Sequence, residues 1–423
     1  MSAFPRRRFL TGAGAVGLSL ALPGVARAAS RARVVIIGGG FGGLSVARAL
    51  RRHDPGLHIT LIERDRRFVT CPMSNGVLGG LWPISDISFT YDKVAAAGIT
   101  VRHDSASAID PVGRKVTLAG GGTIPYDYLV VSPGIQIMWD AIEGYDRKAA
   151  EIMPHAWIAG AQTVLLRKQL EAMEDGGLVV IGVPPTPYKC PPGPYERVSL
   201  IAHYLKRHKP RSKILVLDAK DSFSKQGLFM EAWNNLYPGM VEWVPGSQSG
   251  KVMRVDPATM TVSTGFDDHK AAVANIIPPQ RAAEIAIAAG LDQGVGYCAI
   301  DPVTFESRAH KGVYVLGDAA IAGAMPKSAF SANVQAKACA LAILCDMAGK
   351  APPSPRMLNV CYSLASPDYG FSIAESFDVQ GGAIHLMFED GRTTPLKAAA
   401  DVHQKEAAYA RSWYATITAE IFG

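Results

Sequence analysis

Residues 32–63 constrain the fold of this chain more than any other stretch. Ala32–Ile37 (ARVVII) is a short apolar, β-branched run of the kind that forms a buried parallel strand. Gly38, Gly40 and Gly43 follow in the spacing G-x-G-x-x-G, a helical pattern runs from about Gly42 to Arg52, and a second strand-like run, His58–Ile62, ends at Glu63, twenty residues after Gly43. Each part has a physical task in holding a dinucleotide. Gly38 permits the tight turn, Gly40 lets backbone approach a pyrophosphate, and Gly43 lets helix and strand pack closely. The helix N-terminus offers N–H groups to phosphate, and Glu63 can accept hydrogen bonds from ribose hydroxyls. The glycines alone are a weak signal; strand, glycines, helix, strand and acid in register are a strong one.

A second unit opens in the same way and then breaks the rule. Leu178–Gly182 reads as a strand, but the turn after it is VPPTPYKCPPGPYER, with six prolines between Pro184 and Pro194 around Cys190. Proline has no N–H to donate, and its ring keeps the backbone away from phosphate. The sequence therefore predicts that no nicotinamide dinucleotide binds here. Prolines stiffen a loop, and a stiff loop holds Cys190 in one place. A helical stretch from about Tyr195 to Lys206 and a strand over Lys213–Asp218 complete the unit. Further on, residues 125–134 (PYDYLVVSPG) and 312–319 (GVYVLGDA) read as strands ending in Pro-Gly and Gly-Asp. A helix over 330–348 precedes a proline-marked linker (Pro352, Pro353, Pro355) into a last segment of about seventy residues.

The chain of 423 residues is long enough for two or three domains with sizeable cores. Its formal net charge of +6 falls to +2 without the four arginines of residues 1–28, so no case arises for nucleic acid as a partner. Those first residues carry a basic start with Arg6-Arg7-Arg8-Phe9-Leu10, an apolar stretch from about Thr11 to Gly24 and a small-residue site, Ala26-Arg27-Ala28. This fits a twin-arginine export signal and a periplasmic location. No other segment is long and apolar enough to span a bilayer, so no stable membrane insertion is expected. Six cysteines are present and no C-x-x-C-H, so no c-type haem is expected on this chain. Cys339 and Cys345 read as core residues, and Cys298 has no motif.

The late strand with Asp318, in register with the first glycine motif, resembles the two-dinucleotide-domain flavoproteins of the disulfide reductase type over about 320 residues, Arg33 to Lys350. That resemblance implies FAD in the first site, Asp318 on the ribityl chain, and Ser132-Pro133-Gly134 at the junction to the second domain. The cysteine contexts narrow it. Thr70-Cys71-Pro72, Lys189-Cys190-Pro191 and Asn359-Val360-Cys361-Tyr362 resemble the flavoprotein subunit of flavocytochrome c sulfide dehydrogenase, across nearly the whole mature chain. The resemblance implies an α/β fold of two Rossmann-like domains, the second without a nucleotide site, plus a C-terminal interface domain. Its divisions are a signal over 1–28, an FAD domain over 30–140 and 280–350, a second domain over 141–279 and an interface domain over 351–423.

It further implies FAD held covalently by Cys71, a redox disulfide between Cys190 and Cys361, sulfide as substrate and a separate c-type cytochrome subunit as partner. From the residues alone, Cys190 and Cys361 also fit a structural disulfide or two buried thiols. Glu196 resembles a family carboxylate that acts as acid or base, and equally fits an acid placed at a helix N-terminus by the dipole. Trp82, Trp139 and Trp157 are candidate contacts to a cytochrome or ordinary packing residues. Two other functions stay open: a sulfide:quinone oxidoreductase, and a non-catalytic flavoprotein accessory subunit of a sulfur-oxidation complex. Export is checked by N-terminal sequencing of periplasmic protein: the expected start is near Ala29, and a retained Met1 overturns it.

Overall fold

The computed structural model describes residues 32–388 and 392–423; the predicted export signal lies outside them. Two parallel sheets form the frame. The first has the strand order 313–315, 128–131, 33–37, 58–62, 100–102, all neighbours parallel. Arg33–Ile37 lies in the middle, and Val34, Val35 and Ile36 are almost wholly buried. This is why the strand reads as a continuous apolar run rather than an alternating one: helices cover both faces. The chain leaves this sheet, builds the second, and returns with Val313–Val315, so the first sheet is assembled from segments some 180 residues apart in sequence.

The second sheet has the order 241–244, 213–218, 178–183, 273–276, again all parallel. Its opening strand, Leu178–Val183, is followed by the proline loop and then by the helix Gly193–His208, which begins two residues earlier than the sequence pattern indicates, with Pro194 in its first turn. Proline suits that place because the N–H it lacks has no intrahelical partner there.

The last segment holds what the sequence pattern did not reveal: an antiparallel sheet whose long strands Met357–Ser366 and Tyr369–Gln380 pair with a register shift between Leu364 and Ser366. The final helix, Ala400–Phe422, packs on this sheet. Gly370 permits the contact, since a Cβ there would lie 2.4 Å from Ala407 N. No described helix is long and apolar enough to cross a membrane. Cys298 and Cys339 are buried, whereas Cys345 is only half-buried, near the end of the helix Ala329–Met347; it faces outward more than a core reading requires.

Candidate active site

The glycine turn is close-packed in the way its spacing requires. Gly38 has φ +99°, and a Cβ on it would lie 2.2 Å from Ser132 O; a Cβ on Gly43 would lie 2.0 Å from Gly38 O. Phe68 stands 3.3 Å from the corresponding position on Gly40. A Cβ on Gly42 would meet Ser132 Oγ at 2.4 Å, and one on Gly317 the same atom at 3.5 Å. The glycine turn, the 132–134 element and the Gly317-Asp318 turn therefore meet at one point. Glu63 ends its strand with Oε2 accepting from Gly39 N (2.7 Å) and Oε1 from Asp65 N (2.9 Å). Two of its acceptor positions thus brace the turn, and the others remain for ribose hydroxyls. The Asp318 side chain makes no hydrogen bond among the described residues and is partly exposed. A backbone cradle too tight for side chains, opening on a helix N-terminus and an unengaged carboxylate, fits an FAD with its pyrophosphate at the turn and its ribityl chain near Asp318.

The turn after Leu178–Val183 is densely bonded. Asp218, at the end of the second strand of that unit, is fully buried and accepts from Tyr195 Oη (2.5 Å), Trp243 Nε1 (3.1 Å) and Lys220 Nζ (2.5 Å). Lys220 Nζ also donates to Pro184 O (3.1 Å) and lies 5.0 Å from the Tyr188 ring. Prolines, two tyrosines and an ion pair thus pack together at this turn.

Cys190 sits in that loop with φ +54°, a conformation that favours glycine, and is held there from both sides. Its N–H donates to Lys327 O (2.7 Å), and its carbonyl accepts from Gly193 N (2.8 Å). Gly193 has no room for a side chain: a Cβ would lie 2.8 Å from the Trp157 ring and 2.9 Å from Cys190 Sγ. Trp157, Tyr188 and Ile277 form the apolar wall around this thiol.

Cys361 comes from the first long strand of the C-terminal sheet. It and Cys190 are both free thiols, close enough for charge on Cys361 to act on Cys190, and Lys225 acts on both. Lys225 Nζ donates to Cys361 O (2.6 Å) and Ser363 Oγ (2.8 Å). Burial pushes the Cys190 thiol far up, reinforced by Cys361 and Glu196 and opposed by Lys225 and Lys189. Burial also raises Cys361, against the pull of Lys225 and a hydrogen bond from Asn359. Burial lowers Lys225 in turn. Cys190, Lys225 and Cys361 each keep some accessible surface.

Cys71 is placed differently, against the buried Lys189: Nζ donates to its Sγ at 2.9 Å, and its Sγ faces Trp157 O at 3.7 Å. Burial opposes the charge on Lys189, but Cys71, Asp318 and Cys190 together raise its pKa above the usual lysine value. Lys327 closes the same region, donating to Asp318 O (2.9 Å) and Ala320 O (2.7 Å) over the Tyr297 ring; burial lowers it to about 8.

Glu196, in the first turn of its helix, accepts from Asn75 Nδ2 (2.7 Å) and Leu364 N (3.0 Å). Burial raises its pKa despite those bonds and the nearby Lys225 and Arg197. Sequence reasoning missed Lys189, Lys225, Lys327, Asn75 and Arg197. Lys189 and Arg197 had a local signal, their places beside Cys190 and Glu196 in the proline stretch; Lys225, Lys327 and Asn75 enter from segments without a motif. Of the candidate tryptophans, Trp157 lines the thiol site, Trp82 donates from Nε1 to Met73 O, and Trp139 stacks on Tyr145.

Comparison with known proteins matches three families along the chain. They are the central region of the sulfide dehydrogenase [flavocytochrome c] flavoprotein chain at residues 163–278, the flavocytochrome c sulphide dehydrogenase flavin-binding domain at 353–422, and pyridine nucleotide-disulphide oxidoreductase at 32–182. The sulfide dehydrogenase [flavocytochrome c] flavoprotein chain of Chlorobaculum thiosulfatiphilum is 58% identical over 45 residues, 11% of this chain and 94% of that sequence. The mitochondrial sulfide:quinone oxidoreductase of Dictyostelium discoideum is 28% identical over 43% of this chain, and the chain spans only 40% of that relative's length. The solved sulfide:quinone oxidoreductase of Aquifex aeolicus superposes with a TM-score of 0.72 at 20% identity, over 93% of this chain and 92% of that one, which shows the shared fold.

The raised pKa of Glu196 has a consequence for stability. Unfolded, the carboxyl titrates near 4.5; folded, it titrates higher. Between the two values the folded protein binds the proton more tightly than the unfolded chain, so this group's contribution falls as pH rises from 4.5 through the folded value. Glu196→Gln removes that dependence. The Tm of the variant minus that of wild type becomes more positive between pH 4.5 and 7.5, as measured by thermal scans; a difference that stays flat with pH overturns this.

Proposed function

The chain belongs to the family of flavocytochrome c sulfide dehydrogenase flavoprotein chains, and from that premise we propose that it oxidises sulfide with a redox-active Cys190–Cys361 pair beside bound FAD. The observation that carries this is the convergence of two cysteines from different domains, with Lys225, in one cleft whose nucleotide-binding loop has been replaced by a rigid proline turn. Residues 30–140 with 280–350 are read as the FAD domain, 141–279 as the second domain and 351–423 as the interface domain. FAD supplies, when bound, a two-electron acceptor that can release electrons singly.

The chain's own residues do the rest. The cysteine pair, oxidised to a disulfide, presents an electrophilic sulfur to HS⁻. Attack gives a persulfide on one cysteine and a thiolate on the other. Lys225 holds positive charge beside the developing thiolate. Glu196, with its raised pKa, is a proton carrier within the same cleft. Re-forming the Cys190–Cys361 disulfide breaks the persulfide S–S bond and frees its outer sulfur as zero-valent or polysulfide sulfur, a step that gives up one proton and the two electrons for which bound FAD would be the acceptor. Cys71, in the same region with its Sγ 2.9 Å from Lys189 Nζ, is the proposed covalent anchor of FAD. The blocked second site supports a reaction without NAD(P), and the family supports a separate c-type cytochrome subunit as electron acceptor. The arginine-rich first residues support a periplasmic setting. The final helix, carrying only Lys405 and Arg411 as lysine or arginine, gives no basic face for lipid, which favours a cytochrome over a quinone partner.

Two experiments test this reading. In anaerobic titration of the flavin-loaded chain, sulfide bleaches the flavin and NADH does not. Cys190→Ser and Cys361→Ser each lose about a hundredfold or more in sulfide oxidation, roughly 2.7 kcal/mol in barrier, at unchanged flavin content, while Cys339→Ser stays near wild type. Rapid bleaching by NADH, or near-wild-type sulfide turnover in either serine variant, overturns it. For covalent FAD, acid precipitation leaves the yellow colour in the pellet of wild type and in the supernatant of Cys71→Ser. Colour wholly in the wild-type supernatant rules out the bond.

A further inference from the structure

The two thiols of the cleft have unlike surroundings. Cys190 Sγ receives no hydrogen bond among the described residues and lies against Trp157, Tyr188 and Ile277. Cys361 Sγ receives the side-chain amide of Asn359, with Nδ2 at 3.2 Å. Asn359 is fully buried and its amide has one orientation open to it. Its Oδ1 accepts from Ser328 Oγ (2.7 Å) and Ser331 Oγ (3.2 Å), both at the start of the helix Ala329–Met347. Its Nδ2 faces Glu375 Oε2 (3.2 Å) as well as the sulfur. Turning the amide over would set a carbonyl oxygen against a carboxylate and against sulfur, and would leave two hydroxyls without their acceptor. Three polar groups thus aim one N–H at one sulfur.

We propose that Asn359 is a positioning residue that selects Cys361 as the sulfur that carries negative charge when the cysteine pair opens. The proposal rests on the sulfide-oxidation reading for its chemistry. In the opening step, HS⁻ sulfur bonds to Cys190 Sγ and the Cys190–Cys361 bond breaks. The hydrogen stays on the new terminal sulfur of Cys190, and the electron pair of the broken bond goes to Cys361 Sγ. The step exchanges one S–S bond for another, so atoms and electrons balance without an outside oxidant. A thiolate leaves most readily where a donor is already directed at it. The charged and titratable groups facing Cys361 are Lys225 from the helix Gln226–Leu236 cap, Glu196 from the helix Gly193–His208, Glu375 from the neighbouring strand, and Cys190 itself. Lys225 acts on both thiols, so it does not by itself choose between them; the Asn359 amide touches one.

The test needs no sulfide, so it fails or succeeds apart from the functional reading. The full-length, flavin-loaded chain is reduced anaerobically and alkylated with iodoacetamide across a range of pH. Initial rates at the Cys190 and Cys361 peptides are read by mass spectrometry, with the half-buried Cys345 as internal reference. In wild type, Cys361 becomes reactive at lower pH than Cys190. Asn359→Leu and Asn359→Asp move the Cys361 profile up by about one to two pH units, the scale of one hydrogen bond to a charged group, and leave Cys190 where it was. Ser331→Ala, which loosens the amide without removing it, moves Cys361 the same way by less. It serves as the readout if the Asn359 variants lose flavin. A wild-type Cys190 that titrates below Cys361 overturns the proposal, as does a Cys361 profile unmoved in every variant that keeps its flavin.

Discussion

A buried arginine with no ion-pair partner among the described residues holds the site together. Arg197 is 2% exposed, and its guanidinium donates to Asn75 Oδ1 (3.1 Å), Asn275 Oδ1 (2.9 Å), His155 O (2.9 Å) and Ala156 O (2.6 Å). Burial lowers it to about 10, against attraction from Cys71, Cys190 and Glu196. A cation in such a place is tolerated only when its donors are satisfied, and here amides supply the acceptors. Those acceptors come from the helix Ser74–Leu78 just after Cys71, from the 155–156 segment leading to Trp157, and from the strand Val273–Ile276. One side chain therefore fixes, relative to each other, the flavin-domain loop that carries Cys71, the wall of the Cys190 pocket and the second sheet. His155, whose Nδ1 accepts from Trp157 N, is held neutral by the same burial and lowered to about 3. That leaves the positive charge of the region to Arg197 and the lysines.

The same accounting explains the proline turn. A nucleotide loop keeps its N–H groups free and its carboxylate open; here both are consumed internally. Asp218 is saturated by Tyr195, Trp243 and Lys220, and the left-handed turn at Cys190 is held by Lys327 and Gly193. A non-glycine residue in that conformation costs about 1–2 kcal/mol. Surrounding contacts that over-determine the turn offset such strain, as is common where a side chain must be aimed. The loop thus holds a fixed thiol.

How much of this was legible follows from what each feature depends on. Strands bounded by glycine and acid, such as Arg33–Ile37 and His58–Ile62, appeared where the pattern put them, because a buried parallel strand is written in consecutive residues. The proline block was legible for the same reason: an N–H is present or absent at each position. The long C-terminal strands were not, since Met357–Ser366 mixes buried and exposed positions and packs against helices from distant parts of the chain, Gly193–His208, Ala329–Met347 and Ala400–Phe422. Lys225 and Asn359 were invisible because their roles exist only after three domains have packed. Cys345 was misread because a helical pattern alone does not say which turn of a helix runs past the edge of the core.

Glu196 shows how closely the chemistry is tied to that packing. Its Oε1 accepts from Leu364 N on the strand that carries Cys361, and its Oε2 from Asn75, which also binds Arg197. The helix that starts beside Cys190 is thereby tied to the strand that bears Cys361, three residues from the thiol. A carboxylate suits both bonds because each is charge-assisted, yet burial favours the protonated form. Gaining a proton weakens the hold on Leu364 N and Asn75, and losing it strengthens both. The acid-or-base role and the helix-start role set apart in sequence are therefore one group at one place: the proton that Glu196 carries also sets how firmly the two halves of the cysteine pair are held together.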